Sequence, residues 1–243
     1  MAGAGANQQI LMIDFEGYAP EECNRNGIIQ LFKQGIFKGA DVDLDDLQHL
    51  IESEDDDDDN DEDKVIFGLT TAIDIEYRGT KYPVLRHIQE LLVEICTRYG
   101  ADEDQHLFSS VLHSLESQKV GLLINERFLN IPQGIATPLM RALKGEIEAA
   151  VANGVRCDFT HFIMISKMVN AEDMDEDVSK AQNPVLLWAN PEEEFLYENS
   201  IASFDFPVYY VNEKGRGDDD THTIRRFVLF TREVFHRFVD QLH

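Results

Sequence analysis

A ten-residue acidic run carries the most obvious chemistry in this sequence. Nine of the ten residues from 54 to 63 are carboxylates at neutral pH, and none of the ten can bury an apolar surface. Dense negative charge repels nucleic acid and anionic membranes and attracts strongly basic proteins. We therefore predict that the run binds a basic partner, although acidic runs also occur as solvated loops that keep proteins soluble. The candidate partner-binding residues are Asp55, Asp56, Asp57, Asp58, Asp59, Asp61, Glu62 and Asp63.

The acidic run also has part of the spacing of a calcium-binding loop. Asp55, Asp57 and Asp59 alternate as the first ligands of an EF-hand do. The sixth position is Asn60, where the turn needs glycine, and the twelfth is Ile66, where a bidentate glutamate is needed. We expect no specific calcium site here.

Other residues capable of chemistry form no recognisable set. His106 and His113 lie seven residues apart, Cys157 and His161 lie four apart, and the chain has no HExxH motif. No serine or cysteine lies in a nucleophile signature such as GxSxG. We expect no metal centre, no cofactor and no enzymatic activity.

Two further segments could carry chemistry, the first as acid–base groups and the second as an anion site. Glu192, Glu193 and Glu194 follow Asn190-Pro191, a context that predicts a helix first turn in which acids offset the helix dipole and Glu193 completes a capping box. Residues 131–136 lie between a predicted strand and a helix, where anions commonly bind. Their first position lacks a cationic or amide side chain, which argues against a phosphate site.

Apolar periodicity predicts the elements that position these residues. Strands are predicted at 10–15, 65–77 (one or two strands), 120–125, 159–166, 185–189, 204–211 and 224–230. Helices are predicted near 28–37, at 44–51 after Asp43 as N-cap, at 84–99 before Gly100, near 107–115, from Thr137 as N-cap to Gly154, and after Thr231 as N-cap. Strands both adjacent in sequence and separated by helices predict an α/β fold, with a mixed, largely antiparallel sheet flanked by helices.

Composition is typical of one globular domain. The chain has 243 residues, 43% of them hydrophobic, which is enough for a substantial core. Its formal net charge is −25. Three widely separated cysteines predict a reducing compartment. We find neither a signal-peptide pattern nor an apolar run of membrane-spanning length. We predict one domain over 1–243, with an acidic loop inserted at 53–64.

One segment resembles a known family. Residues 120–132, VGLLINERFLNIP, are similar to the signature of the BCCIP family of eukaryotic nuclear proteins, whose fungal members are ribosomal-protein chaperones. Residues 162–167 and 188–198 extend the resemblance along the chain. It implies a non-enzymatic escort of the basic large-subunit ribosomal protein fourteen, in nucleus and cytoplasm, without direct binding to nucleic acid or membrane. Animal relatives are associated with a DNA-repair scaffold and a cyclin-dependent-kinase inhibitor, and fungal ones with nuclear export of a lipid kinase.

The resemblance also implies a fold similar to that of the GCN5-related acetyltransferases, whose cofactor loop reads Gln/Arg-x-x-Gly-x-Gly/Ala. Gly134 and Ala136 match that loop, but Ile131 replaces its first residue and Pro132 removes a backbone donor. We therefore expect no acetyl-CoA binding. An acetyltransferase with a degenerate cofactor loop is the alternative.

Overall fold

A mixed β-sheet forms the centre of the protein. A computed structural model describes residues 17–51, 65–75, 82–113, 119–128, 130–170, 186–208 and 223–242. The strands in this part of the chain are β1 (Gly68–Asp74), β2 (Val120–Arg127), β3 (His161–Asn170), β4 (Leu186–Trp188), β5 (Ala202–Val208) and β6 (Thr223–Thr231). Their order is β1-β2-β3-β6-β5, and β4 pairs with the end of β3. Only β2 and β3 pair in parallel among these strands, which confirms the predicted single α/β domain with a mixed, largely antiparallel sheet.

Helices cover both faces of the sheet. They are α1 (Arg25–Gln34), α2 (Leu44–Ile51), α3 (Val84–Tyr99), α4 (Asp102–His113), α5 (Ala136–Ala152), α6 (Glu194–Glu198) and α7 (Arg232–Gln241). Helices α1 to α4 pack against one face and α5 to α7 against the other. Strand side chains alternate between the faces, so Leu122 belongs to the first core and Leu123 to the second. A strand covered on both sides reads as a continuous apolar run, as residues 120–124 do.

Aromatic rings fill much of the second core. The ring of Phe162 lies within 4.8–5.7 Å, centroid to centroid, of the rings of Phe159, Phe230 and Phe235. Such contacts stabilise a core beyond the area they bury. They fix α7 against the centre of the sheet.

The helix ends test the predicted caps. Asp43 Oδ1 accepts hydrogen bonds from the N–H groups of Asp45 and Asp46, both at 3.1 Å, as expected of an N-cap. Thr231 occupies the N-cap of α7, and Gly154, with φ of 83°, follows the end of α5. The prediction for Thr137 was wrong: a 3₁₀ turn over Gln133–Ile135 continues directly into α5, so the helix begins at Ala136.

Other predictions fall outside the described residues, including the strand at 10–15 and the loop at 53–64. In the described part of the chain, every helix is too short or too polar to cross a membrane.

Candidate functional site

A buried polar network joins the end of β2 to the segment before α6. Asn125 Nδ2 donates to Glu192 Oε1 (3.2 Å) and to Glu193 Oε1 (2.9 Å), while its Oδ1 accepts from the Thr70 hydroxyl (3.2 Å). Asn190 Nδ2 donates to the Asn125 carbonyl (2.9 Å) and to Glu193 Oε1 (2.8 Å). Buried polar groups are retained when they find such partners. We call Asn125, Arg127, Asn190, Glu192 and Glu193 the carboxylate cluster.

Glu192 forms a two-pronged ion pair. Its two carboxylate oxygens accept from Arg127 Nη1 at 2.5 Å and Nη2 at 2.9 Å, and both side chains are almost fully buried. A planar guanidinium matches a carboxylate in this geometry. The charge of Glu192 is therefore balanced within the protein.

No lysine or arginine among the described residues pairs with Glu193 in this way. Burial raises the pKa of its carboxyl group to about 7, although hydrogen bonds from Asn190 and Asn125 oppose the shift. Glu193 is 2% exposed, so the ionised form loses its hydration. With this pKa, the carboxyl group of Glu193 titrates near neutral pH.

These contacts correct the prediction for residues 192–194. Pro191–Glu193 forms a 3₁₀ turn after Asn190, and Glu193 accepts from the Asn190 side chain rather than from its backbone N–H. No reciprocal capping box forms at this described turn. Glu192 and Glu193 are thus parts of the interior, and only Glu194 is exposed as a first-turn acid is expected to be.

A second buried carboxylate lies on the opposite face of the sheet. Glu126 is only partly buried as a residue, but its carboxyl end is enclosed against Gly35, where an added Cβ would lie 2.2 Å from Glu126 Cδ. Burial raises its pKa to about 7, against the lowering effects of Arg225, the Ile36 N–H and Lys167. Arg225 Nη2 also donates to the Gly35 carbonyl at 2.9 Å. This group joins the end of α1 to the sheet.

A cavity of about 610 Å³ opens between the start of α5, α6 and α7. Its lining includes Phe195, Phe238 and Leu242 together with Glu192, Glu194 and Glu198. We call this cavity, lined by these six residues and by the turn before α5, the α5–α7 groove.

The segment compared with an acetyltransferase cofactor loop lies at the α5–α7 groove. Gln133, Gly134 and Ala136 line it. A pyrophosphate at the start of α5 would face the carboxylates of Glu194 and Glu198 across the groove. Like charges in a partly enclosed site disfavour such binding.

The predicted partner-binding residues lie outside the described residues, so they stay a prediction. The described chain stops after Ile51 and resumes at Val65. Among the described residues, no group of three histidine, cysteine, aspartate or glutamate side chains could hold a metal ion. The expected lack of a metal or cofactor also stays a prediction.

Sequence reasoning missed the carboxylate cluster. A signal was present, because Asn125, Glu126 and Arg127 are three polar residues that continue a fully apolar strand. The partners of Asn125 and Arg127, at 190–193, lie more than sixty residues later in the chain. Only the folded sheet brings the two segments together.

Comparison with known proteins identifies the family. The BCCIP family model matches residues 10–196. The chain is 29% identical over 231 residues to the protein BCCIP homolog of Drosophila melanogaster, covering 88% of this chain and 75% of that protein. It is 30% identical over 215 residues to the BRCA2 and CDKN1A-interacting protein of Bos taurus, covering 81% and 69%.

A solved structure shares the fold. The crystal structure of BCP1 from Saccharomyces cerevisiae superposes with a TM-score of 0.64 at 14% identity, covering 98% of this chain and 90% of that one. The resemblance expected from residues 120–132 is confirmed, whereas similarity to the acetyltransferase fold stays a prediction. From its sequence over most of its length, this chain belongs to the BCCIP family.

Proposed function

We propose that the protein is a non-enzymatic acidic chaperone or adaptor that binds a basic protein and escorts it during ribosome biogenesis and nuclear transport. The observation that carries the proposal is the formal charge of −25, concentrated in part in the run at 54–63. Free ribosomal proteins are basic because they contact RNA, so an acidic escort shields them from nonspecific RNA and from aggregation. The large-subunit ribosomal protein fourteen is the first client we propose.

Charge accelerates encounter, but it does not select one partner among many basic proteins. We therefore assign two roles: the run captures basic proteins at long range, and a shaped surface of the folded domain discriminates among them. We also propose that the protein acts in both the nucleus and the cytoplasm.

Association kinetics test the role of the run. The eight candidate residues from Asp55 to Asp63 are replaced by asparagine or glutamine, and binding of purified ribosomal protein fourteen is followed by biolayer interferometry at about 50 to 300 mM salt. We expect slower association at low salt and a flatter salt dependence, with an unchanged circular dichroism spectrum. A variant with the aspartates and glutamates of the run in shuffled order keeps the charge and should bind like the natural protein. If the neutralised variant associates as fast as the natural protein at low salt, electrostatic capture by the run is refuted.

An acetyltransferase is the second candidate, because Gly134 and Ala136 keep two positions of the cofactor loop at a strand-to-helix junction. Ile131, Pro132 and the glutamates of the α5–α7 groove argue against it. Calorimetric titration with acetyl-CoA separates the two proposals. Micromolar or tighter affinity, with acetyl transfer to a basic protein, would favour the enzyme.

Further clients extend the proposal. The name of the bovine relative states that it interacts with BRCA2 and CDKN1A. The family resemblance adds a lipid kinase and nuclear transport factors as candidate clients. Affinity purification from cells with graded salt washes distinguishes them. We expect one ribosomal protein to remain at stoichiometric level after moderate salt.

A further inference from the structure

The α5–α7 groove combines an apolar floor with an acidic rim. Phe238 is 1% exposed, and the partly exposed ring of Phe195 stacks on it with centroids 6.1 Å apart. Leu242 is also partly exposed beside them. Glu194 and Glu198 are exposed and lie one helical turn apart on α6, so they share one side of that helix. An occupant must therefore satisfy both an apolar surface and carboxylates.

The charge of the groove is negative. Glu192 is balanced by Arg127, whereas no lysine or arginine is among the described residues that line the groove. Two arginines lie nearby. Arg226 interacts electrostatically with Glu194, but its guanidinium is bound by Asp205 at 2.6 and 2.8 Å. Arg141 donates from Nη2 to the Leu242 carbonyl at 2.7 Å and adds one positive charge beside the groove. The start of α5 supplies only about half a positive charge. The two exposed carboxylates outweigh this half charge and the one charge of Arg141 together, which disfavours an anionic occupant.

We propose that the α5–α7 groove binds a segment of the basic client in which a lysine or arginine flanks an apolar side chain. This inference rests on the proposed function and places the selective contact at one site. The apolar side chain packs against Phe195 and Leu242, and the cation pairs with Glu194 and Glu198. Long basic side chains suit such a site because their methylene stems lie on apolar surface while the charged end reaches the rim.

Two kinds of variant test the groove. The double substitution Glu194→Gln and Glu198→Gln removes the rim charges, and Gly134→Trp fills the groove without changing charge. An added Cβ at Gly134 has no neighbour within 4 Å, so a side chain can leave the backbone there without an initial clash. The charge control is Glu94→Gln with Glu146→Gln, which removes two exposed carboxylates that do not line the groove.

The probe is a fluorescein-labelled twelve-residue peptide in which lysine or arginine alternates with leucine, titrated with the full chain at about 150 mM salt by fluorescence anisotropy. We expect the rim and filled variants each to weaken binding about tenfold relative to the charge control. A peptide with glycine in place of leucine should bind weakly to all variants. All proteins are compared by thermal unfolding, and a destabilised Gly134→Trp is replaced by Gly134→Leu.

The possible results separate the two proposals. If the natural protein binds purified ribosomal protein fourteen and the groove variants match the charge control for both the protein and the peptide, the groove assignment is overturned and the proposed function stands. If the natural protein shows no preference for basic polypeptides, both fail. Equal binding of the leucine and glycine peptides would also overturn the groove, because it would reduce the interaction to charge alone.

Discussion

Replacement of Glu193 by glutamine should remove a pH-dependent cost to stability. Glutamine has nearly the shape of the protonated glutamate, and its oxygen can still accept from Asn125 and Asn190, which lie 2.9 and 2.8 Å from Glu193 Oε1. What changes is the ability to ionise. Glu193→Gln therefore isolates the free energy of holding one buried charge.

The magnitude follows from the pKa. The pKa of Glu193 is raised from 4.5 to about 7 by burial. Below pH 4.5 both folded and unfolded chains hold the proton, and as pH rises toward 7 the unfolded chain releases it first. The stabilisation from the protonated group is thus lost as pH rises through about 7. Relative to Glu193→Gln, the natural protein should lose about 2 to 3 kcal/mol between pH 5 and pH 8.

Urea unfolding followed by circular dichroism at half-unit steps from pH 5 to pH 8 measures this difference. Glu126 titrates in both proteins, so its contribution cancels. Glu194→Gln, which removes an exposed carboxylate from the adjacent position, should leave the pH dependence close to that of the natural protein. A stability difference between the natural protein and Glu193→Gln that stays constant from pH 5 to pH 8 would refute the argument that burial holds this proton.

Three substitutions test other contacts by the same unfolding measurement. Gly35→Ala places a Cβ among the carboxyl atoms of Glu126 and should cost about 1 to 3 kcal/mol, whereas a cost below about 0.5 kcal/mol would mean that the carboxylate moves aside freely. Arg127→Leu leaves the buried Glu192 without its cation and should cost about 3 to 5 kcal/mol, partly restored by adding Glu192→Gln; no restoration would contradict the ion-pair explanation. Phe162→Ala opens a cavity among the aromatic rings of the second core and should cost about 3 to 5 kcal/mol, and a loss below about 1 kcal/mol would show that the core collapses around it.

Local signals in the sequence predicted much of the fold. Asp43 caps α2 as its position before an apolar stripe indicates, and the continuous apolar run at 120–124 forms the buried strand β2. The prediction failed at Thr137, because threonine before proline is typical of a helix start and the signal carries no information about the turn that precedes it. Helix boundaries depend on what packs next to them as well as on the cap.

The candidate site was predicted less well. Glu192 and Glu193 were expected in the first turn of a helix, where acids offset the dipole, with Glu193 completing a capping box. In the structure Arg127 and Asn125 reach them from β2 and hold them in the interior. The α5–α7 groove likewise depends on how three helices meet, and helical periodicity shows only which side of each helix is apolar.

The amino-acid sequence by itself determined the charge, the family, the alternation of strands and helices and most of their caps, because these depend on composition or on neighbours a few residues away. Tertiary structure alone decided that β2 pairs in parallel with β3, and that Asn125 and Glu126, adjacent in the chain, enter networks on opposite faces of the sheet. The physical reason is that successive strand residues point to opposite faces, while their partners come from distant segments. That arrangement determines which carboxyl groups are buried, with the pKa raised to about 7, and which remain exposed at the rim of the groove.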